Sequence, residues 1–160
     1  MAHGQQNKKD SGKIIVQDVQ LVEIVDMQDD VDLPPPNFIS KFKTLQDWLI
    51  NICDNDKPKQ PIQKYKFGLF ESTNDYTVFV AGVNTYSKGN YRSIRIAFKP
   101  TNMYLKLPKD YFENLTREQL LDKLTSELKD FASTEKFKNS FFTKAGIVVL
   151  ETNGQTIWSK

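Results

Sequence analysis

The sequence contains little of what side-chain catalysis most often uses. Among its 160 residues there is one histidine, His3, and one cysteine, Cys53. His3 lies in a polar N-terminal stretch, and Cys53 comes at the end of a predicted helix, where the helix dipole disfavours a thiolate. A single cysteine also excludes an internal disulfide and a multi-cysteine metal site. We therefore assign no catalytic residue, no metal site and no cofactor.

The chain also lacks long apolar runs and an excess of charge of one sign. No stretch approaches the roughly 18 apolar residues of a membrane span, and the polar start lacks the apolar core of a secretory signal. The 22 basic and 20 acidic residues leave a net charge of +2, too small for the broad positive field of a non-specific nucleic-acid binder. We expect a cytoplasmic protein with no membrane partner.

What the sequence does contain is enough apolar and aromatic material for one folded core. Apolar residues make up 39% of the chain, which carries 11 Phe, 6 Tyr and 2 Trp, far more aromatic side chains than a disordered chain has. Residues 1–12 show no apolar periodicity and are predicted to form a flexible tail. Residues 13–33 are assigned to an N-terminal β segment and acidic loop, residues 34–37 to a proline-rich connector, and residues 38–160 to a single α+β domain.

Three helices are predicted from apolar residues at helical spacing and from capping patterns. The first stripe runs from Phe38 to Ile52, and its capping pair predicts that the helix itself begins only at Leu45. The second helix is rich in leucine, and the third is short. The capping patterns are Thr44 with Asp47, Thr116 with Gln119, and Ser133–Glu135.

Alternating apolar residues predict strands between the first two helices. These segments are 64–69, 76–83, 94–98 and 103–107. Turn-forming residues separate them, which indicates a four-strand antiparallel meander. Asn153-Gly154 predicts a tight hairpin at the C-terminus, and β-branched residues in 13–27 favour a strand there, although a helical spacing also fits. The predicted fold class is α+β: an antiparallel sheet of meander and hairpin, with an N-terminal strand, packed against two or three helices.

A basic stretch with aromatic neighbours is the candidate for contact with an anion or a nucleic acid. Its candidate residues are Lys57, Lys59, Lys64, Lys66, Arg92 and Arg95. Strand alternation, however, places Tyr65 and Phe67 opposite the neighbouring lysines and directs both rings into the core. That placement favours a solvated charged face over a nucleic-acid site.

Acidic loops and further aromatic residues are the candidates for a protein partner. Carboxylates would steer a basic partner, and exposed rings would anchor it. None of the carboxylates lies in a calcium-loop pattern, so solvated loop charges are the simpler interpretation. The candidate residues are Asp29, Asp30, Asp32, Asp54, Asp56, Tyr86, Tyr91, Tyr104 and Trp158.

The layout from Thr44 to the C-terminus resembles small bacterial proteins that accompany secreted polymorphic toxins as cytoplasmic immunity proteins. The resemblance consists of a capped helix ending in Ile52-Cys53, the strand hairpin Lys-Tyr-Lys-Phe-Gly-Leu-Phe with Asp75-Tyr76, Leu107-Pro108, the leucine-rich helix and a terminal Ile157-Trp158. It implies a toxin as partner and steric occlusion of the toxin's active site as the mechanism.

We therefore expect a non-enzymatic protein-binding domain, in the form of an immunity protein if the resemblance holds, and either a monomer or a homodimer. Two alternatives stay open. One is single-stranded nucleic-acid binding through Lys, Arg and aromatic residues on the sheet. The other is an enzyme that uses carboxylates, or Lys and Tyr, on a small molecule.

Overall fold

The computed structural model describes residues 14–16 and 24–160. The predicted flexible tail with His3, and most of the N-terminal segment 13–23, lie outside these residues. The described strands are β1 (Ile14–Val16), β2 (Ile24–Gln28), β3 (Lys64–Glu71), β4 (Tyr76–Lys88), β5 (Tyr91–Phe98), β6 (Tyr104–Lys106), β7 (Ile147–Leu150) and β8 (Gln155–Ser159). The helices are α1 (Leu45–Asn55), α2 (Lys109–Phe112), α3 (Arg117–Ala132) and α4 (Glu135–Lys138), followed by a 3-10 helix (Phe141–Lys144).

The helices begin where their capping residues require. The Thr44 hydroxyl accepts a hydrogen bond from the Asp47 amide, so that α1 starts at Leu45. At α3, Thr116 and Gln119 form both halves of a capping box. These two predictions are confirmed, because a cap depends on a few adjacent residues and satisfies amides that would otherwise lack partners.

The strands form one mixed sheet in the order β1-β2-β5-β4-β3-β7-β8, with β6 paired to β4. The α+β class is correct, but the prediction of an antiparallel sheet is wrong. The pairings β2–β5 and β3–β7 are parallel. A parallel neighbour needs a long crossover, and the helical segment between β6 and β7 supplies it for β3. Apolar alternation assigns a face to each residue but does not encode strand direction.

The fourth strand of the predicted meander, β6, does not occupy a position of its own in the strand order. Strand β4 has 13 residues and pairs first with β6, through 77–79, and then with β5, through 82–88. Strands β5 and β6 therefore lie end to end along one edge of β4, and the predicted turn at 99–102 interrupts that edge without reversing the chain.

The C-terminal hairpin is present, with a longer turn than Asn-Gly predicts. Strand β7 ends at Leu150, and Glu151 to Gly154 form the turn. Of the Asn153-Gly154 pair only Gly154 has a positive φ, of 73°. The preceding two residues are drawn to strand β3 instead: Thr152 Oγ1 accepts from the Leu69 amide, and Glu151 meets Lys66.

The two faces of the sheet are covered differently. One face, called here the helix face, carries Tyr65, Phe67, Val80 and Leu150 and packs against α1, α3, α4 and the 3-10 helix. Trp48 of α1 is fully buried there, and its indole N–H donates to the Asn102 main-chain oxygen over 2.7 Å. The other face carries Lys66, Phe79 and Tyr104, and residues 29–38 cross it, with Asp29 against Lys66 and with Asp32 and Phe38 against Tyr104. We call this face the strap face and residues 29–38 the strap.

Candidate binding surfaces

A broad groove is lined by residues of several elements. It lies between the segment leading into α1, the β3–β4 turn, α2 and the middle of α3, and has a volume of about 1740 Å³. Small-molecule sites usually enclose roughly 300–1,000 Å³. This groove is therefore larger than a site of that kind. Its apolar, aromatic and charged lining residues include Ile39, Phe42, Lys43, Asp75, Tyr76, Lys106, Leu107, Lys109, Asp110, Tyr111, Phe112, Glu113, Leu115, Lys123 and Glu127.

The groove has an apolar rim and an aromatic floor. Ile39 is 85% exposed and Leu115 is 36% exposed. The half-buried rings in the floor are those of Phe42, Tyr76, Tyr111 and Phe112. Tyr76 and Phe112 meet edge to face, with 5.0 Å between ring centroids. Burial of such surface by a partner is the main source of binding free energy at protein interfaces.

Both exposed apolar residues of the rim follow an asparagine in the left-handed region. Asn37 has a φ of 61° and lies two residues before Ile39, and Asn114 has a φ of 67° and lies directly before Leu115. Asparagine adopts this conformation more readily than other side-chain-bearing residues. Of the described non-glycine residues these two alone have a positive φ. The backbone therefore turns sharply at both places where the rim presents an apolar side chain.

Three titratable residues of the groove, Tyr111, Lys123 and Glu127, are joined by hydrogen bonds and a cation–π contact. The Tyr111 hydroxyl donates to Glu127 Oε1 over 3.0 Å, and the Lys123 ammonium donates to the Tyr111 main-chain oxygen over 2.9 Å while lying 3.8 Å from the Tyr111 ring centroid. Burial, reinforced by the Glu127 charge and hydrogen bond, raises the pKa of Tyr111 far above its ordinary value. Its phenol therefore stays protonated, which suits a structural anchor and not a general base near neutral pH.

The groove carries no net charge. Four lysines and four carboxylates line it, and Lys106 pairs with Asp75 at 3.4 Å. Long-range steering by this surface is consequently weak. Recognition would depend on apolar contact and shape.

The acidic segment predicted as a partner-binding loop contacts its own chain. Lys66 is 2% exposed, and its ammonium donates to the Asp29 main-chain oxygen over 2.5 Å, to Asp29 Oδ2 over 3.4 Å and to Glu151 Oε2 over 3.1 Å. Tyr104 donates to the Asp32 main-chain oxygen over 2.5 Å. Lys66 and Tyr104 thus fasten the strap to the sheet. Asp30 and Asp32 remain exposed.

The predicted anion-binding residues do not form one surface. Strand register places Lys64, Lys66 and Arg92 on the strap face and Arg95 on the helix face. Lys66 is buried in the ion pairs just described. Lys57 and Lys59 are exposed in the linker before β3. As alternation predicted, the rings of Tyr65 and Phe67 are buried, each 2% exposed.

Two of the predicted aromatic anchors share a surface. Tyr86 is 44% exposed and Tyr91 is 40% exposed, and register places both on the helix face, with Lys88 and Arg95, where the β4–β5 hairpin extends beyond the core. We call Tyr86, Lys88, Tyr91 and Arg95 the tyrosine surface. Tyr104 and Trp158 are half-buried instead, with Tyr104 under the strap and Trp158 against Phe137.

The remaining candidates serve local structure. Asp54 pairs with Lys136 at 2.6 Å, and Asp56 Oδ1 accepts from the Thr101 amide over 2.9 Å. Burial raises the pKa of the Cys53 thiol, which keeps it protonated. Within residues 14–16 and 24–160, no group of three or more His, Cys, Asp or Glu is placed to hold a metal ion. In the same ranges, no helix has the length and apolar character needed to cross a membrane.

The groove was not predicted from the sequence, because neither Ile39, which lies beside the stripe that begins at Phe38, nor Leu115, which directly precedes the Thr116 cap, belongs to a pattern that marks an exposed surface. The available signal was the preceding asparagine in each case, a residue that favours turns and would leave the next apolar side chain outside the regular element. Comparison with protein-family models, with curated proteins and with solved structures gives no match.

Proposed function

We propose that this protein is a binding domain that takes an apolar segment of a partner protein into the groove. The observation that carries the proposal is the pairing of two exposed apolar rim residues, Ile39 and Leu115, with a half-buried aromatic floor. An interface core is built from such side chains and gains its free energy by excluding water.

The size and charge of the groove support a macromolecular partner. A volume of about 1740 Å³ matches a helix or loop of another protein better than a metabolite. Equal numbers of lysines and carboxylates on the lining allow polar contacts at the rim of an interface, where they add specificity more than affinity. A partner segment with apolar residues at its centre and mixed charges around them would fit.

In the form implied by the resemblance to immunity proteins, the partner is a toxin. Its active site would be covered by the body of this chain, with no chemical step required. This form is tested by co-expressing the chain with the product of its neighbouring gene. Protection from growth arrest is expected, and so is its loss when Ile39 and Leu115 are both changed to Asp.

The direct experiment is quantitative affinity capture with matched variants. Immobilised wild-type chain, the double variant Ile39→Asp/Leu115→Asp, and Leu33→Asp are each exposed to lysate of the native source. Leu33 is a suitable control because it is 71% exposed and lies on the strap outside the groove lining. A specific partner should be retained by the wild type and by Leu33→Asp and lost by the double variant.

The captured protein is then purified and titrated by calorimetry. Burial of apolar surface predicts a negative heat-capacity change on binding, and the double variant should weaken binding about 100-fold, given about 1.4 kcal/mol for each of the two apolar contacts that are lost. If the double variant retains the partner as well as Leu33→Asp does, the groove is not the binding site.

A further inference from the structure

A second surface, separate from the groove, has the chemistry of a single-stranded nucleic-acid platform. The tyrosine surface lies on β4 and β5, where the hairpin extends past the helices that cover the rest of that face. Its two rings are the most exposed of the described aromatic side chains, at 44% for Tyr86 and 40% for Tyr91. An exposed ring on a strand offers a flat face on which an unpaired base can stack.

Strand register fixes the spacing of the two rings. Tyr86 is opposite Ser93, and Lys88 is opposite Tyr91, so the two tyrosines are diagonal cross-strand neighbours on one face. Such neighbours are separated by about 7–8 Å. Two successive bases of an extended single strand could therefore each meet one ring.

Hydrogen bonds hold both rings in place. The Tyr91 hydroxyl donates to Asp26 Oδ2 over 2.9 Å, and the Tyr86 hydroxyl reaches Gln60 Oε1 at 3.5 Å. A ring held by its hydroxyl loses less conformational freedom on binding than a free one. The phenol oxygens are occupied while the ring faces remain accessible.

The charge around the rings is positive. Lys88 and Arg95 are exposed on the same face, and the Arg95 guanidinium is positioned by its Nε–H, which donates to Ser93 Oγ over 2.5 Å. The nearby carboxylate, Asp26, already accepts hydrogen bonds from Gln28 and Tyr91. Lys88 and Arg95 outnumber this single carboxylate, so the surface has an excess of one positive charge that complements a phosphate backbone.

We infer that the tyrosine surface binds single-stranded nucleic acid, by stacking bases on Tyr86 and Tyr91 and by pairing phosphates with Lys88 and Arg95. Duplex is excluded from this mode because its bases are already stacked within the helix. An acidic peptide would be attracted by the same cations but would gain less from two open ring faces. Stacking alone carries no base identity, so the binding is tolerant of sequence.

The test uses a fluorescein-labelled 12-nucleotide oligo-dT, with binding followed by fluorescence anisotropy. Wild type is compared with Tyr86→Ala, Tyr91→Ala and the matched variants Tyr86→Phe and Tyr91→Phe, which keep the ring. Each alanine variant should weaken binding about tenfold, and each phenylalanine variant should remain within about threefold of wild type. Circular dichroism confirms that the exposed substitutions leave the fold intact.

The salt dependence of binding and a groove variant complete the test. The two cations predict that the logarithm of the affinity falls linearly with the logarithm of the salt concentration, with a slope of about −1.4, and that Arg95→Gln makes this slope shallower by about half. The variant Ile39→Asp/Leu115→Asp should bind the oligonucleotide as wild type does, which separates this inference from the proposed function.

Three outcomes would overturn the inference. The first is no binding at 100 micromolar protein in low salt. The second is equal binding by the alanine and phenylalanine variants, which would leave only non-specific charge attraction. The third is competition by poly-glutamate as strong as that by unlabelled oligo-dT, which would mark the surface as a site for acidic protein segments.

Discussion

The Lys66 ammonium lies 2.5 Å from the main-chain oxygen of Asp29, a residue 37 positions earlier in the chain. Lys66 is in the middle of the sheet and 2% exposed, and the Asp29 side chain is 17% exposed. Removing one partner of a buried charge pair leaves the other without compensation. The free energy of unfolding should therefore depend strongly on Lys66, and the effect should be concentrated in the strap.

The variant Lys66→Met should lower the free energy of unfolding by about 3 kcal/mol, at the lower end for a broken buried pair because Glu151 is half exposed. Lys64→Met, on the same strand and face but only half-buried, should change it by less than about 0.5 kcal/mol. Urea unfolding measures both. Amide hydrogen exchange should accelerate at residues 29–38 in Lys66→Met and not in Lys64→Met. Equal exchange rates of the strap amides in the two variants would contradict a role of Lys66 in holding the strap.

The variant Gly68→Ala should be destabilising because a Cβ at Gly68 would lie 2.1 Å from the Phe79 ring. Phe79 is 5% exposed and packs against Phe70 with 4.8 Å between the ring centroids, so its ring cannot withdraw freely. We expect a loss of about 2 kcal/mol in urea unfolding. The matched control is Gly146→Ala, where the nearest atom is 3.6 Å away.

A second substitution tests whether the steric clash is the cause. Adding Phe79→Leu to Gly68→Ala should cost less than the sum of the two single changes, because the shorter side chain leaves room for the methyl group. Strict additivity of the two effects would assign the loss to something other than this contact.

The variant Thr116→Ala should lower the free energy of unfolding by about 1 kcal/mol, since the Gln119 amide loses its acceptor at the start of α3. Thr116→Ser keeps the hydroxyl and should remain within about 0.3 kcal/mol of wild type. Thermal and urea unfolding both measure this. A loss of similar size in the serine variant would show that the capping hydroxyl is not responsible.

Stability should fall in alkaline solution. Burial raises the pKa of both Tyr65 and Tyr111 in the folded protein, whereas tyrosine in the unfolded chain has a pKa of about 10. Below that pH the folded and unfolded states both keep the phenolic proton, so these two groups do not make the free energy of unfolding depend on pH. Above it the unfolded state releases protons first, so each tyrosine should contribute up to about 1.4 kcal/mol of lost stability per pH unit.

Urea unfolding at intervals between pH 9 and 11.5 measures that slope. Tyr111→Phe should make the slope shallower, and Tyr65→Phe should do so independently. Because Tyr111→Phe also removes the hydrogen bond to Glu127, the slopes are compared and not the absolute stabilities. An unchanged slope in both variants would place the alkaline transition on other groups.

Local features of the fold could be predicted from the sequence, and long-range ones could not. The starts of α1 and α3 follow from Thr44 and Thr116, and the burial of Tyr65 and Phe67 follows from strand alternation. These depend on residues within a few positions of one another. The parallel partners of β3 and β5, by contrast, are chosen by packing between distant segments, which no local pattern records.

The candidate sites show the same division. Strand alternation assigns Lys66 to the face opposite the core and therefore predicts that it is exposed to solvent. The strap covers that face instead, and Asp29, which contacts Lys66, lies 37 positions earlier in the sequence. The grouping of Tyr86, Tyr91 and Arg95 needed the register of β4 against β5. The groove needed the approach of α2 and α3 to the segment before α1.

The parallel pairing of β3 with β7 also bears on how the chain is made. Residues 64–67 find their second neighbour only at 147–150, 83 positions later in the chain. A nascent chain that has not reached this segment presents an unpaired edge of β3 to other chains, and such edges template aggregation. Emergence of residues 147–150 is therefore the step at which β3 gains its second neighbour.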